Sequence, residues 1–474
     1  MNYTRRVAGG LKVTIGASVV SVVVQSAIMV VMVRLVSAND FGAYAIALVF
    51  AWFSTWFVTS AIERSLVVSP DAEALVGRTI PVGLVVCGVG ALAILVAVGI
   101  NLFTPFEMPL GAVGGIVLAQ SIAGFSIVPR VHLRMQLRFH RLVIAELAAQ
   151  TLGTGVVAAV LAWQGLGVGA IVAGANVYSL IVLFGLTSGV PGRLAWPVRT
   201  TGNLGLIRQA LATSQTNLVE VINSQIPVLV IGWLGQATLG VFNRAYNLVQ
   251  LPVQMVVASV NRVFVSALVT VENEQDRRRR AARILTQVVA TVTTPVCLGV
   301  AGAAREFTGV IMGHEWDVAI PAIPFIAIST WGTITAQSFA TMIEAARHFE
   351  AKARLQVITG ALQLLAIVAG AAMFGLPGAT AGMAIGGVAL LVVLGWYASR
   401  LLELGPTVVM RWLLPSLAAG MLCFAWTAGL SMLAPWPELP LFGAQVMGCA
   451  VLTGGYFVLF ERGFLRELIA AARR

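Results

Sequence analysis

Apolar residues in this chain run on for long stretches, and the polar segments between them are short. An α-helix rises about 1.5 Å per residue, so a run of about 20 apolar residues matches a hydrocarbon layer about 30 Å thick. Fourteen such runs stand at roughly 12–33, 41–62, 79–100, 110–129, 142–163, 167–187, 209–234, 239–265, 285–304, 319–345, 356–375, 377–399, 412–434 and 441–460. The pattern predicts an all-α integral membrane protein with about fourteen transmembrane helices.

Composition points the same way. Apolar residues make up 58% of the 474 positions, charged residues 10%, and the mean hydropathy is +0.91. A soluble chain of this length needs more polar surface than that. The net charge of +11 sits in short segments between apolar runs, so it predicts membrane orientation rather than binding to nucleic acid. With the N-terminus inside, the cytoplasmic segments collect Arg130, Arg134, Arg138, Arg141 and the run Arg277 to Arg280, among others. The opposite side keeps only Arg34 and Arg305. Positive residues accumulate on the cytoplasmic side of membrane proteins, so both termini are expected there, in a bacterial inner membrane. The stretch RVHLRMQLRFHR at 130–141 is expected to extend helix 4 along that surface, as an anchor or as a seat for an anionic lipid head group.

The candidate chemistry is sparse. Cys87, Cys297, Cys423 and Cys449 lie inside apolar runs without metal-ligand spacing, and the four histidines form no metal set. There is no glycine loop with a phosphate-binding lysine, and the exterior loops are too short for a catalytic domain. No cofactor, no metal and no enzyme activity are expected.

The chain also repeats itself. MVVMVRLVSANDFGAYAIA around Gly42 parallels VLVIGWLGQATLGVFNRAY around Gly240 at an offset of 198. The same offset pairs Arg64 with Arg262 and Gln25 with Asn223, and further matches follow at 204 and 210. A unit of six helices is even, so both copies share one orientation, and such repeats are related by an axis along the membrane normal. The expected organisation is an N-terminal lobe at 1–190 (helices 1–6), a cytoplasmic linker at 191–208, a C-terminal lobe at 209–400 (helices 7–12), and a helix pair with a cytoplasmic tail at 401–474. Two such lobes around a central cavity suit alternating access.

Polar positions inside the spans mark that cavity. Asn217, Glu220 and Asn223 share a face of helix 7, and Gln25 ends a similar stripe on helix 1. Helix 8 sets Arg244 and Arg262 on one line, with Asn247 and Gln254 to one side of it. Interhelical hydrogen bonding, snorkelling of Arg64 and Arg262, or an ion pair at Glu220 would also account for single residues. Taken together, amides and guanidinium groups suit a ligand that is polyhydroxylated and anionic.

Three strings carry a family resemblance: MVRLVSANDFGAYA after helix 1, LVIGWLGQATLGVFNRAYNLVQLP across helices 7 and 8, and MGHEWDVAIPAIPFIAIS entering helix 10. In these the chain resembles the polysaccharide transporters of the multidrug/oligosaccharidyl-lipid/polysaccharide flippase superfamily. The resemblance implies a flippase that moves undecaprenyl-pyrophosphate-linked oligosaccharides across the cytoplasmic membrane for exopolysaccharide, capsule or O-antigen synthesis. It implies that Arg64, Arg244 or Arg262 meets the pyrophosphate. Polymerase and chain-length-control proteins, and membrane lipids, are the partners it implies. Members often carry an aspartate near the end of helix 7, where this chain reads NSQIPVLVIG, leaving Glu220 as the acid of that helix. A multidrug or cation antiporter of the same fold is the alternative; such proteins use a carboxylate in the N-terminal lobe, where this chain offers Glu146 near a helix end.

Overall fold

The computed structural model describes residues 20, 21, 23–51, 79–103, 109–136, 138–188, 219–250, 253, 275–434 and 436–461. Among these residues every regular element is helical. In chain order the main helices are α1 (Val23–Leu35), α2 (Ala38–Ala51), α3 (Thr79–Phe103), α4 (Leu110–Met135), α5 (His140–Trp163), α6 (Val168–Thr187) and α7 (Val219–Gly232). They continue as α8 (236–250), α9 (Gln275–Gly302), α10 (Ile323–Ala345), α11 (349–374), α12 (376–401), α13 (Leu414–Leu433) and α14 (Glu438–Phe460). Eight helices among the described residues, with 349–401 taken as one, are long and apolar enough to cross a membrane. The protein is an all-α integral membrane protein. The chain divides into two compact units, Met1–Asn243 and Arg244–Arg474.

In the first unit α4 packs against α2, α3 and α6, and α5 packs along α6. Small residues allow this: Ala47, Ala51, Ala97, Ala112 and Val113 are buried together with Ile116 and Val117. Gly153 of α5 approaches α6 so closely that a Cβ there would lie 2.6 Å from the Tyr178 nitrogen. Membrane helices lack a hydrophobic force driving them together and depend on such close approach instead. Around Gly153 the helix is wound as a π-segment, Gln150–Val157.

The SAND string is a helix start. The Ser37 Oγ accepts from the Asp40 backbone N–H at 3.2 Å and donates to the Asp40 carboxylate at 2.6 Å. These bonds cap α2 and fix the acid. The other oxygen of Asp40 accepts from the Val168 N–H at 3.0 Å, the first residue of α6, where its charge also complements the helix dipole. The preceding Gly167 has φ +54° and leaves no room for a side chain beside that carboxylate. One acid thus ties two helix N-termini. Asp40→Ala is expected to cost about 1–2 kcal/mol, the usual range for losing a cap. A lowered thermal midpoint of the purified protein, with Asp40→Asn intermediate, checks this.

The expected helical extension at 130–141 is corrected by the structure. Helix α4 stops at Met135, where the N–H groups of Gln136 and Arg138 bond back to the carbonyls of His132 and Leu133 and close a turn. Arg130 and Arg134 therefore belong to the end of α4, and Arg138 and Arg141 to the start of the next helix.

In the second unit α9 packs against α10 and α13, α10 lies along the α11–α12 hairpin, and α13 pairs with α14. The hairpin turns at Gly375, whose φ of +60° and ψ of −135° suit glycine alone. Its two arms meet backbone to backbone. A Cβ on Gly378 would sit 2.0 Å from the Gly370 carbonyl oxygen, and one on Gly382 would sit 2.4 Å from that of Ala366. At the far end of α12 the last carbonyls need donors. The Arg279 Nε supplies one to Leu402 O at 2.8 Å, and its guanidinium lies 3.4 Å from the Glu403 carboxylate. The tetra-arginine run thus includes a helix cap.

Candidate functional site

Helix α8 is read most simply by what it buries and what it leaves accessible. From 241 to 250 the apolar residues Val241, Phe242, Ala245, Leu248 and Val249 are all buried. The partly accessible residues are Asn243, Tyr246, Asn247 and Gln250, and every one of them is polar. At about 100° per residue these four fall within an arc of about 100°. A helix facing lipid would expose its apolar side, whereas this one exposes a polar face. Within the arc the Gln250 Nε2 donates to the Tyr246 hydroxyl at 2.9 Å, which fixes both side chains. Arg244 lies about 60° beyond the Asn247 end of the arc and is only 9% exposed. Its charge is held inside protein.

Helix α7 divides in the same way. Glu220 and Asn223 are half-buried and Ser224 is exposed, all on one side. The exposed apolar residues Ile222 and Leu229 lie on the opposite side. The split matches one face toward water and one toward lipid. Single cysteines make the point testable. A cysteine at Asn247 is expected to react with a hydrophilic thiol reagent at least about tenfold faster than one at Leu229, because the thiolate forms only where water reaches it. Equal rates at the two positions would mean that the α8 face is packed away.

On α1, Gln25 is exposed, one turn from Ser21. Ser21 is joined to Gln150 twice: its Oγ donates to Gln150 Oε1 at 2.7 Å, and Gln150 Nε2 donates to the Ser21 carbonyl at 3.2 Å. Gln150 opens the π-segment of α5, and such segments often carry functional side chains. Sequence reasoning missed this partner. The only visible signal was a glutamine inside an apolar run.

Glu146 pairs with Arg130 at 3.7 Å between α5 and α4. The one carboxylate expected in the N-terminal spans is therefore engaged by a cation. In the second unit a cavity of about 480 Å³ opens among α9, α13 and α14. Its walls are mainly apolar, among them Val292, Val296, Val300, Phe307, Phe442 and Val446.

The expected site residues thus fall on α1 (Gln25), α7 (Glu220, Asn223) and α8 (Asn247) on the polar side of each helix, with Arg244 about 60° beyond the α8 arc. Arg64, Asn217, Gln254 and Arg262 lie outside the described residues.

With that geometry in hand, comparison with known proteins is informative. A family model described as "Polysaccharide biosynthesis protein" matches residues 31–321, more than half of the chain. The chain belongs to this family. It is similar to the succinoglycan biosynthesis transport protein ExoT of Rhizobium meliloti (strain 1021), at 24% identity over 314 residues. That match spans 63% of this chain and 61% of the relative's length. It is also similar to the lipopolysaccharide biosynthesis protein WzxC of Escherichia coli (strain K12), at 22% identity over 396 residues, covering 81% of this chain and 78% of the other. Among solved structures, the lipid II flippase MurJ in an inward closed conformation superposes with a TM-score of 0.70 at 13% identity, over 96% of this chain and 98% of that one. A eukaryotic MATE transporter gives 0.51 at 14% identity, over 87% and 99%. These two likenesses show a shared helical transporter fold.

Proposed function

We propose that this protein is a flippase that carries undecaprenyl-pyrophosphate-linked oligosaccharide units from the cytoplasmic to the opposite leaflet of a bacterial inner membrane, feeding exopolysaccharide, capsule or O-antigen synthesis. The reading rests above all on the α8 face, where accessible amides run beside a buried arginine in a helix of a membrane-embedded, family-assigned chain. Amides offer both donors and acceptors to sugar hydroxyls, and a guanidinium fork matches phosphate oxygens. Arg64, Arg244 and Arg262 are the proposed pyrophosphate ligands. Gln25, Asn217, Glu220, Asn223, Asn247 and Gln254 are the proposed lining for the sugar. The apolar cavity among α9, α13 and α14 is chemically suited to part of an isoprenoid chain.

Transport proceeds by alternating access, with lobes at 1–190 and 209–400 joined by 191–208 and followed by 401–474. Both termini are cytoplasmic, and the chain works with a polymerase and chain-length-control proteins rather than performing chemistry itself. The names of the relatives, one a transport protein for succinoglycan and one a lipopolysaccharide biosynthesis protein, support this assignment. A multidrug or cation antiporter of the same fold is the poorer fit, because Glu146 is already engaged by Arg130.

Reconstitution tests the proposal. Liposomes holding the purified protein and a sugar-labelled undecaprenyl-diphosphate oligosaccharide are exposed to an impermeant glycosidase. Label on the inner leaflet is expected to become cleavable much faster than in protein-free liposomes. Equal rates in the two preparations, with transport of an organic cation instead, would reject the flippase reading.

A further inference from the structure

The two sequence repeats touch each other through equivalent residues. A Cβ on Gly42 would lie 1.8 Å from the Gln236 carbonyl oxygen. A Cβ on Gly240 would lie 1.7 Å from the Ala38 carbonyl oxygen and 2.9 Å from the Gly42 nitrogen. At the repeat offset of 198, Gly240 is the counterpart of Gly42, and Gln236 is the counterpart of Ala38. The contact of Gly42 with Gln236 is therefore the image of the contact of Gly240 with Ala38. Reciprocity of this kind is the mark of a two-fold axis, here a local one passing between the first turns of α2 and α8.

The contact is tight, and its electrostatics oppose it. Two helix N-termini meet, and each carries partial positive charge, so the dipoles oppose the approach. At the approach each glycine Cα runs close against a carbonyl, and the Gln236 Nε2 donates to Asn39 O at 3.1 Å. Only glycine permits the approach, because any side chain would strike backbone rather than a movable group. Elsewhere in the first unit helices meet along long faces, as α4 does against α3 and α6. A junction at two first turns, on a local symmetry axis and opposed by both helix dipoles, suits a contact that forms and breaks.

We propose that Gly42 and Gly240 form the exterior seal of the transport path: the contact closes that end while the cytoplasmic end is open, and separates when the exterior end opens. The proposal rests on the alternating-access reading above and on the arginine asymmetry, which places the α1–α2 and α7–α8 turns outside. Gly42→Ala and Gly240→Ala then act alike. Each prevents the closed contact and shifts the population toward the exterior-open form.

The test uses full-length protein without native cysteines and a single reporter cysteine at Gln25, about 15 Å down α1 from its outer end. An impermeant thiol reagent is applied to intact cells and, separately, to inverted vesicles. Either alanine variant is expected to raise labelling from outside by about threefold or more and to lower it from inside. The double variant is expected to show no larger shift than either single one, because a contact once broken cannot be broken again. A cysteine at His314 serves as the exterior control and should react equally in all variants. Loosened folding would raise labelling from both faces together, and that outcome overturns the proposal, as does labelling unchanged from both faces. Should both alanine variants fail to reach the membrane, Gln236→Ala decides, since it removes the side chain that bonds Asn39 O and leaves both glycines in place. More labelling outside with less inside supports the seal, and no change rejects it. Labelling does not depend on which lipid is carried, so a wrong substrate assignment would leave the shift intact.

Discussion

Lysine in place of Arg244 is expected to cut polymer export at least about tenfold while the protein still reaches the membrane at its normal level. Arg244 is nearly enclosed in α8, next to a face whose accessible residues are all amides and a tyrosine. A buried cation in such a place serves either the fold or an anionic ligand, and lysine separates the two roles. It keeps the positive charge that membrane insertion reads, and it keeps an aliphatic stem of similar length. What it loses is the planar fork that meets two phosphate oxygens at once. A charge-assisted hydrogen bond contributes about 1.5–3 kcal/mol, which corresponds to a ten- to hundredfold change in affinity. The measurement is polymer export in a strain lacking the native protein, normalised to membrane level, together with binding of the diphosphate lipid by purified protein. Export at the normal rate would remove Arg244 from the ligand site. Loss of the protein from the membrane would assign it to the fold. Leucine at the same position gives a third point, since it removes the charge and should abolish binding.

The class of the protein was legible because the membrane leaves so few options. Long apolar runs can only be helices when backbone groups have no water to bond with, and arginine asymmetry then orders them. The polar arc on α8 was legible for a related reason: a helix has one period, so Asn243, Asn247 and Gln250 had to share a side wherever the helix went. What a period cannot give is the partner across the gap. Nothing local ties Ser21 to Gln150, 129 residues away, and the pairing emerges only once α1 and α5 are packed. The helical stretch expected to continue past Met135 failed for a similar reason. Regular arginine spacing is compatible with a helix, yet the helix ends where the N–H groups of Gln136 and Arg138 bond back to His132 and Leu133. The family strings were recognised as strings, and the structure shows what several of their residues do. Ser37 and Asp40 cap helices, and Gly42 and Gly240 let two backbones meet.

Glycines in one hairpin separate steric from conformational demands, and that difference predicts the largest loss of folded protein. Gly375 turns the chain between α11 and α12 at φ +60°, and a Cβ built there would meet nothing within 4 Å. Its need is for backbone freedom alone. Any other residue is strained by about 1–3 kcal/mol, and the size of the new side chain should hardly matter. Gly378, three residues on, has an ordinary helical backbone, but the Gly370 carbonyl carbon and oxygen would lie 2.7 and 2.0 Å from its Cβ. Here the obstacle is a neighbouring backbone that cannot rotate aside. Alanine is expected to cost about 1–3 kcal/mol by overpacking, and a larger group must force the helices apart. The α12 arm meets α10 backbone to backbone at Gly387 and Gly332, so separating the arms also disturbs the packing that carries α10. The expected result is therefore a difference in slope. Alanine, serine and leucine at 375 lower the thermal midpoint by a similar few degrees, whereas at 378 the loss grows with volume until Gly378→Leu yields no folded protein. Midpoints and the monodisperse fraction in detergent measure both series, and a flat response to side-chain size at 378 would show that the two arms do not meet as closely as described.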